Sequence, residues 1–218
     1  MIKHFLTAIL LMLSSYAFSQ ENGDSNYSFG VRGYNYIGLP KTLYQSTGRR
    51  YINSNFSSYI IKFNDNLYSY RLNGSYFNQP EHFSNSGTQA SGKVKDYSFK
   101  AGFEKNFNYG TVQPYFAFDL GYRSDEFRGA VSNMAAQNIA TNSTKRGFTI
   151  TPVFGLKLNP VKEISIFAET NAEFFYSWGK ERSVNQDAAA DYQRHFKKGE
   201  YLFNPVSVGI QVHLGHKN

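Results

Sequence analysis

The feature that most constrains this chain is an alternation that puts apolar side chains on one face and charge on the other. In YSYRLNGSYF, Tyr68 to Phe77, the residues Tyr68, Tyr70, Leu72 and Tyr76 fall on one side of an extended chain. Ser69, Arg71, Asn73 and Ser75 fall on the other. A period of two is the mark of a β-strand, whose successive side chains point to opposite faces. The pattern recurs in eight segments, near residues 27–37, 56–64, 66–78, 94–107, 112–123, 147–158, 163–178 and 201–214. Their apolar face collects Phe99, Phe103, Phe116, Phe118, Leu120, Phe148, Ile150, Phe154, Leu156, Val206, Val208, Ile210, Val212 and Leu214. The opposite face carries Arg32, Lys62, Arg71, Lys100, Glu104, Asp119, Arg123, Lys157, Glu169 and Glu173. Charge on one face of nearly every strand has no place in the apolar interior of a soluble barrel. It fits a barrel whose exterior meets lipid, because a charge on the lipid face costs about 2–4 kcal/mol at the midplane while the lumen is polar.

The connections alternate in length. Asn64-Asp65-Asn66, the stretch 106–111 and Asn159-Pro160-Val161-Lys162 are short and built of turn residues. The stretches 38–55, 79–93, 124–146 and 179–200 are long and rich in Ser, Asn, Gly, Gln and charge. A compact soluble domain rarely has four long structureless loops, let alone in strict alternation with tight turns. The alternation gathers the long loops at one end and the tight turns at the other. It predicts an all-β, eight-stranded antiparallel up-and-down transmembrane β-barrel with short periplasmic turns and four long extracellular loops. No segment has a helical period, although the Ala-rich stretch Val131 to Ala140 allows a helical turn or two within a loop.

Residues 1–19 stand apart. Lys3 and His4 precede the apolar run Phe5 to Leu13, and Ala17-Phe18-Ser19 places small residues where a signal peptidase reads them. A cleaved signal peptide is expected, with cleavage before Gln20 and a single barrel domain over 20–218. An exported chain without cysteine draws no stability from disulfides, and a closed sheet is one alternative. The net charge of +7 then points to an anionic membrane surface and away from nucleic acid.

At this point the chain resembles the small eight-stranded outer-membrane barrels typified by OmpA and OmpX. It is more closely similar to the outer-membrane β-barrel proteins of Bacteroidota-type bacteria. The resemblance spans Gln20 to Asn218. It is carried by the signal ending AFSQ, the strand pairs IIKFNDNLYSYRL and FKAGFEKNFNYGTVQPYFAFDLGY, and the last strand PVSVGIQVHLG. The family's last strand often ends in an aromatic residue, whereas here the alternation ends at Leu214 and a polar tail follows. The resemblance implies residence in the outer membrane and contact with the barrel-assembly machinery during biogenesis.

The lumen face holds six basic and four acidic residues in the ten named above. A barrel of eight strands has room inside for little beyond side chains, so these charges are expected to pair as a plug. The alternative is a narrow ion or proton path. Tyr27, Tyr34, Tyr36, Tyr68, Tyr76, Tyr122, Tyr176, Trp178 and Tyr201 lie near strand ends, as interface-seeking aromatics do. A carbohydrate-stacking role is the alternative for them. At the long-loop end Arg49, Arg50, Lys145, Arg146, Lys180, Arg182, Lys197 and Lys198 form a basic rim that suits lipopolysaccharide phosphates. Lys93, Lys95 and Arg128 add to it.

Catalysis finds little support. The histidines after the signal are His82, His195, His213 and His216, and none belongs to a recognisable motif. No GxSxG, phosphate loop, HExxH or EF-hand pattern occurs, so no catalytic, cofactor or metal residue is expected. Asp187, Asp191 and Glu200 are the weak calcium candidates. The expected role is non-catalytic: envelope integrity or surface interaction, with an envelope or surface protein as partner through the loops. A narrow channel or a subunit of an envelope transport complex is the alternative, and a lipid-modifying enzyme the third reading.

Overall fold

In the computed structural model the described residues are 25–38, 50–53, 55–65, 67–85, 88–132, 138–185 and 190–216. The expected signal peptide, Arg49 and Asp187 lie outside them, and the side chains of Tyr36, Arg50 and His216 are not among those described.

The described chain is strand apart from short connections and contains no helix. Ten strands follow in order: β1 (Ser25–Gly33), β2 (Asn35–Gly38), β3 (Arg50–Asn53), β4 (Ser58–Asp65), β5 (Tyr68–Asn85), β6 (Thr88–Asn106), β7 (Val112–Ser132), β8 (Asn138–Val161), β9 (Ile164–Asn185) and β10 (Ala190–His216). Eight of them close into a barrel in the order β1, β10, β9, β8, β7, β6, β5, β4. Strands β2 and β3 form a separate two-stranded sheet. Every pairing is antiparallel, and the first and last strands of the ring meet in register with Val31 opposite Ile210.

Alternation decides the two faces. Ile60, Lys62, Arg71, Glu104 and Asp119 point inward and are buried, while Tyr59, Ile61, Phe63, Tyr70 and Phe103 point outward and are exposed. Tyr70 is 67 % exposed and Phe154 60 %, values that a soluble barrel would reserve for polar groups. The outward rings ladder across strands, as in Phe116–Phe154 at 5.1 Å and Phe148–Trp178 at 5.7 Å between centroids.

Three of the four stretches expected as long loops are strand. β5 and β6 continue pairing to Asn85↔Thr88, β7 and β8 to Ser132↔Asn138, and β9 and β10 to Asn185↔Ala190. β10 runs 27 residues, where a strand of about 9–11 is enough to cross a bilayer. Of the stretch where a helical turn was allowed, Val131–Ser132 and Asn138–Ala140 are strand, and 133–137 lie outside the described residues. Composition misled here because Ser, Asn, Gly and Lys are tolerated on a strand whose neighbours supply the ladder.

In the extended part of β5–β7 the polarity of the two faces reverses. Phe77, Phe83, Ala90, Val94, Phe127 and Val131 point inward and form a buried apolar cluster. The outward positions Asn78, His82, Lys93, Lys95 and Arg128 are polar. That is the sidedness of a sheet in water. The switch falls just beyond Tyr76, Tyr97 and Tyr122, so the ring has an apolar exterior below this level and a polar one above it.

β10 contains a bulge between Asn204 and Ser207. Below it, Val206 and Ile210 face out while Ser207, Gly209 and Gln211 face in; above it, Tyr201 and Phe203 face out while Leu202 and Asn204 face in. A bulge inserts one residue and so exchanges the faces. Across the barrel seam Tyr34 adopts φ 60°, and its carbonyl accepts hydrogen bonds from Asn204 Nδ2 at 3.2 Å and Ser207 Oγ at 3.3 Å. The strained tyrosine and the bulge are therefore tied to each other.

Candidate functional site

The interior of the barrel is a column of charge. Its hub is Arg71 on β5, whose side chain is fully buried. Arg71 Nη1 donates to Glu104 Oε2 at 3.2 Å, Nε lies 3.2 Å from Asp119 Oδ1, and Nη2 donates to Glu169 Oε2 at 3.5 Å. Glu104 also accepts from Lys62 at 2.7 Å and from Lys157, which itself donates to Asn106 at 2.7 Å. Glu169 pairs with Arg32 and accepts the Tyr115 hydroxyl at 2.9 Å. Asp119 accepts from Asn73 at 2.9 Å.

A second cluster lies toward the hairpin end. Arg123 donates to Glu173 at 2.7 Å, to Asp96 at 2.8 and 3.0 Å, and to Asp125 at 3.1 Å. Lys100 pairs with Glu173 and donates to Thr151 at 3.1 Å. Lys145 bridges Asp125 at 3.6 Å and Glu200 at 2.8 Å.

All ten charges expected in the lumen are buried there, and ion pairs connect them. Four more join them: Asp96, Asp125, Lys145 and Glu200. Six cations and four carboxylates thereby become seven and seven joined by ion pairs among the described residues, and Glu181, buried on the same face of β9, is an eighth carboxylate. A column excluded from water tolerates charge only when it is compensated, and the additions give each added charge an opposite partner. Asp96 was legible, because it shares the face of Lys100 and Glu104 on β6. Asp125, Lys145 and Glu200 were not, because their stretches read as loops. Lys145, expected on the rim, is a correction: it points inward.

Aromatic rings fill what the ion pairs leave. Tyr115, Phe167 and Phe175 are buried in the lumen. Lys157 Nζ lies 4.8 Å from the Tyr115 ring centre, and Lys145 Nζ 5.1 Å from that of Phe175. Tyr115 lies against Gly155, where an added Cβ would sit 2.1 Å from its ring, and Phe167 lies against Gly209 at 2.3 Å. Glycine on the neighbouring strand lets each ring lie flat along a narrow wall. A gap of about 50 Å³ beside Lys100, Arg123 and Glu173 has room for a water or two.

The tight-turn end is closed by a one-way hydrogen-bond chain. Ser69 donates to Asn64 at 2.8 Å, and Asn64 Nδ2 donates to Ser28 at 2.8 Å. Ser28 Oγ lies 2.9 Å from His213 Nδ1, and His213 Nε2 lies 2.5 Å from Ser165 Oγ. Ser165 donates to Asn159 Oδ1 at 2.5 Å. Ser165 has spent its proton on Asn159, so the proton between it and His213 belongs to Nε2, and Nδ1 accepts from Ser28. In this tautomer His213 donates to Ser165 and has no lone pair aimed at it, so it is not placed to activate that hydroxyl. His213 thus lies between two serines at the tight-turn end of the lumen. The chain crosses the seam between β1 and β10.

The basic rim divides. Arg146, Lys180 and Lys197 are exposed on the outer surface, and Arg182 there pairs with Asp191 at 2.6 Å. Hydrogen bonding from Arg182 holds the Asp191 carboxyl below its ordinary range. Lys198 donates to Glu200 at 3.0 Å. Of the calcium candidates, Asp191 and Glu200 are thus each engaged by cations. His82 and His195 are exposed, and His195 contacts Gln193 at 3.1 Å.

Compared with protein-family models and with curated proteins, the chain matches none.

Proposed function

We propose that this protein is an outer-membrane β-barrel of the OmpA/OmpX-like kind, with a lumen closed by ion pairs and a non-catalytic role at the cell surface. The observation that carries the reading is the sidedness: compensated charge inside, an apolar belt with aromatic edges outside, and a reversal of polarity beyond that belt. An exterior with Tyr70 and Phe154 so exposed is stable when its solvent is hydrocarbon. The tight turns then face the periplasm and the extended hairpins the outside, where a rigid scaffold holds them out as an interaction surface. The column of seven cations and seven carboxylates joined by ion pairs favours a plug over a path, since ions crossing it would have to break pairs that leave charge uncompensated.

The test is reconstitution. The purified chain is expected to insert into lipid vesicles and to show no sustained current in planar bilayers. A tag placed between Asn185 and Ala190 is expected to be reached by antibody on intact cells. Sustained large currents would overturn the plug, and a tag reached only after the envelope is permeabilised would overturn the orientation.

A further inference from the structure

Three outward cations on β8, β9 and β10 converge on the single tryptophan of the chain. Arg146 pairs laterally with Trp178, and Trp178 with Lys197, so the three form one rung across three strands. The next rung outward is Thr144, Lys180 and His195. With strands about 4.8 Å apart and alternate residues about 6.7 Å apart, Arg146, Lys180 and Lys197 all lie within about 10 Å of the indole. They line a cleft of about 510 Å³. None of the three makes a direct ion pair with a carboxylate among the described residues; Asp191, further along β10, is bonded by Arg182 and feels Lys180 only at longer range. The rungs below are aromatic: Phe148 stands 5.7 Å from Trp178, and Phe174 5.0 Å from Tyr201 between ring centres. The bulge at Asn204–Ser207 gives Lys197 its outward direction.

The geometry points to a binding site on the barrel's outer wall for a phosphorylated glycolipid of lipopolysaccharide type, its phosphates on Arg146, Lys180 and Lys197 and its acyl chains along Phe148, Phe174 and Tyr201. This rests on the membrane reading above. Exposed Arg and Lys without a direct ion pair, beside a tryptophan at the edge of an apolar belt, offer charge-assisted hydrogen bonds to a phosphate at the depth where lipid headgroups lie. The acyl chains add apolar contact that a free phosphate lacks, and the downward aromatic rungs give them a surface.

The experiment is native mass spectrometry of the detergent-solubilised full chain with a diphosphorylated lipid A, its dephosphorylated form, phosphatidylglycerol and inorganic phosphate. Barrel integrity is read first, by gel mobility of the unheated protein and by insertion into vesicles. Failure of the unaltered protein to insert overturns the membrane reading and this site with it. Given insertion, the diphosphorylated lipid is expected to bind, and Arg146→Ala/Lys180→Ala/Lys197→Ala to weaken it at least about tenfold. Lys93→Ala/Lys95→Ala/Arg128→Ala, the same change in charge on β6–β7, is expected to change it less than about twofold. Equal losses in the two triple variants, or equal binding of the dephosphorylated lipid, would overturn the site while leaving the membrane reading intact. Equal retention of phosphatidylglycerol, or tight binding of inorganic phosphate alone, would overturn the glycolipid assignment.

Discussion

Replacing Arg71 with methionine removes the hub of the lumen column while keeping much of its volume. The three carboxylates it serves are not left in the same state. Glu104 keeps Lys62 at 2.7 Å and Lys157, and Glu169 keeps Arg32 and the Tyr115 hydroxyl. Asp119 keeps the Asn73 amide and has no second ion pair among the described residues. The cost therefore concentrates on Asp119. Removing one partner of a buried pair costs about 3–5 kcal/mol, because the other charge stays buried without compensation. Arg71→Met is expected to lose that amount. Adding Asp119→Asn is expected to restore about 2 kcal/mol or more, since it removes the stranded charge. Adding Glu104→Gln to Arg71→Met is expected to restore nothing, because it strands Lys62 and Lys157 in turn. Equilibrium unfolding in urea, with protein refolded into lipid vesicles and followed by the fluorescence of Trp178, measures all four proteins. A loss below about 1 kcal/mol for Arg71→Met, or equal recovery by the two second changes, would refute the account of the column as a set of individually compensated pairs.

Other expected outcomes follow from the same geometry. Phe154→Arg, on the outward face, is expected to cost about 2–4 kcal/mol in vesicles, measured by the same unfolding, whereas Lys93→Glu beyond the aromatic edge changes stability by less than about 0.5 kcal/mol. Phe127→Ala hollows the cluster between β5, β6 and β7 and is expected to cost about 3–5 kcal/mol locally. It is read as faster amide exchange and protease cleavage in the β5–β6 and β7–β8 hairpins, with exchange in the ring below unchanged. His213→Ala strands Ser28 and Ser165 and is expected to cost about 1–3 kcal/mol, read as faster exchange of the β1 and β10 amides at the seam and slower exchange elsewhere being absent.

The sequence was most legible where alternation was strict. From Tyr68 to Asn73 on β5, or Lys100 to Glu104 on β6, apolar residues hold every second position and the polar ones fall between them, so the face of Arg71 or Lys100 follows from counting. The alternation also located the tight turns, because Asn64-Asp65 and the residues after Asn106 interrupt it with turn chemistry. It could not tell a polar hairpin from a loop. Residues 79–93 and 124–146 have outward positions rich in Lys, Asn and Ser, and such residues become strand only because a neighbouring strand supplies the ladder.

Taken alone, then, the sequence determined which side chains share a face and how many strands carry the pattern, since both are local consequences of the two-residue period. Charge pairing in the lumen was decided by tertiary structure, because it depends on Asp125, Lys145 and Glu200 being brought inward by strands that extend past the belt. Tertiary structure also decided which of Lys197 and Lys198 faces outward. Counting back from Ile210 and Val206 puts Lys198 and Glu200 outside, but the bulge at Asn204–Ser207 exchanges the faces and turns Glu200 in to Lys145 and Lys197 out beside Trp178. A one-residue insertion leaves no mark on composition or hydropathy. It shows only in the pairing with β9 and in the Tyr34 carbonyl across the seam, contacts made between residues far apart in the chain.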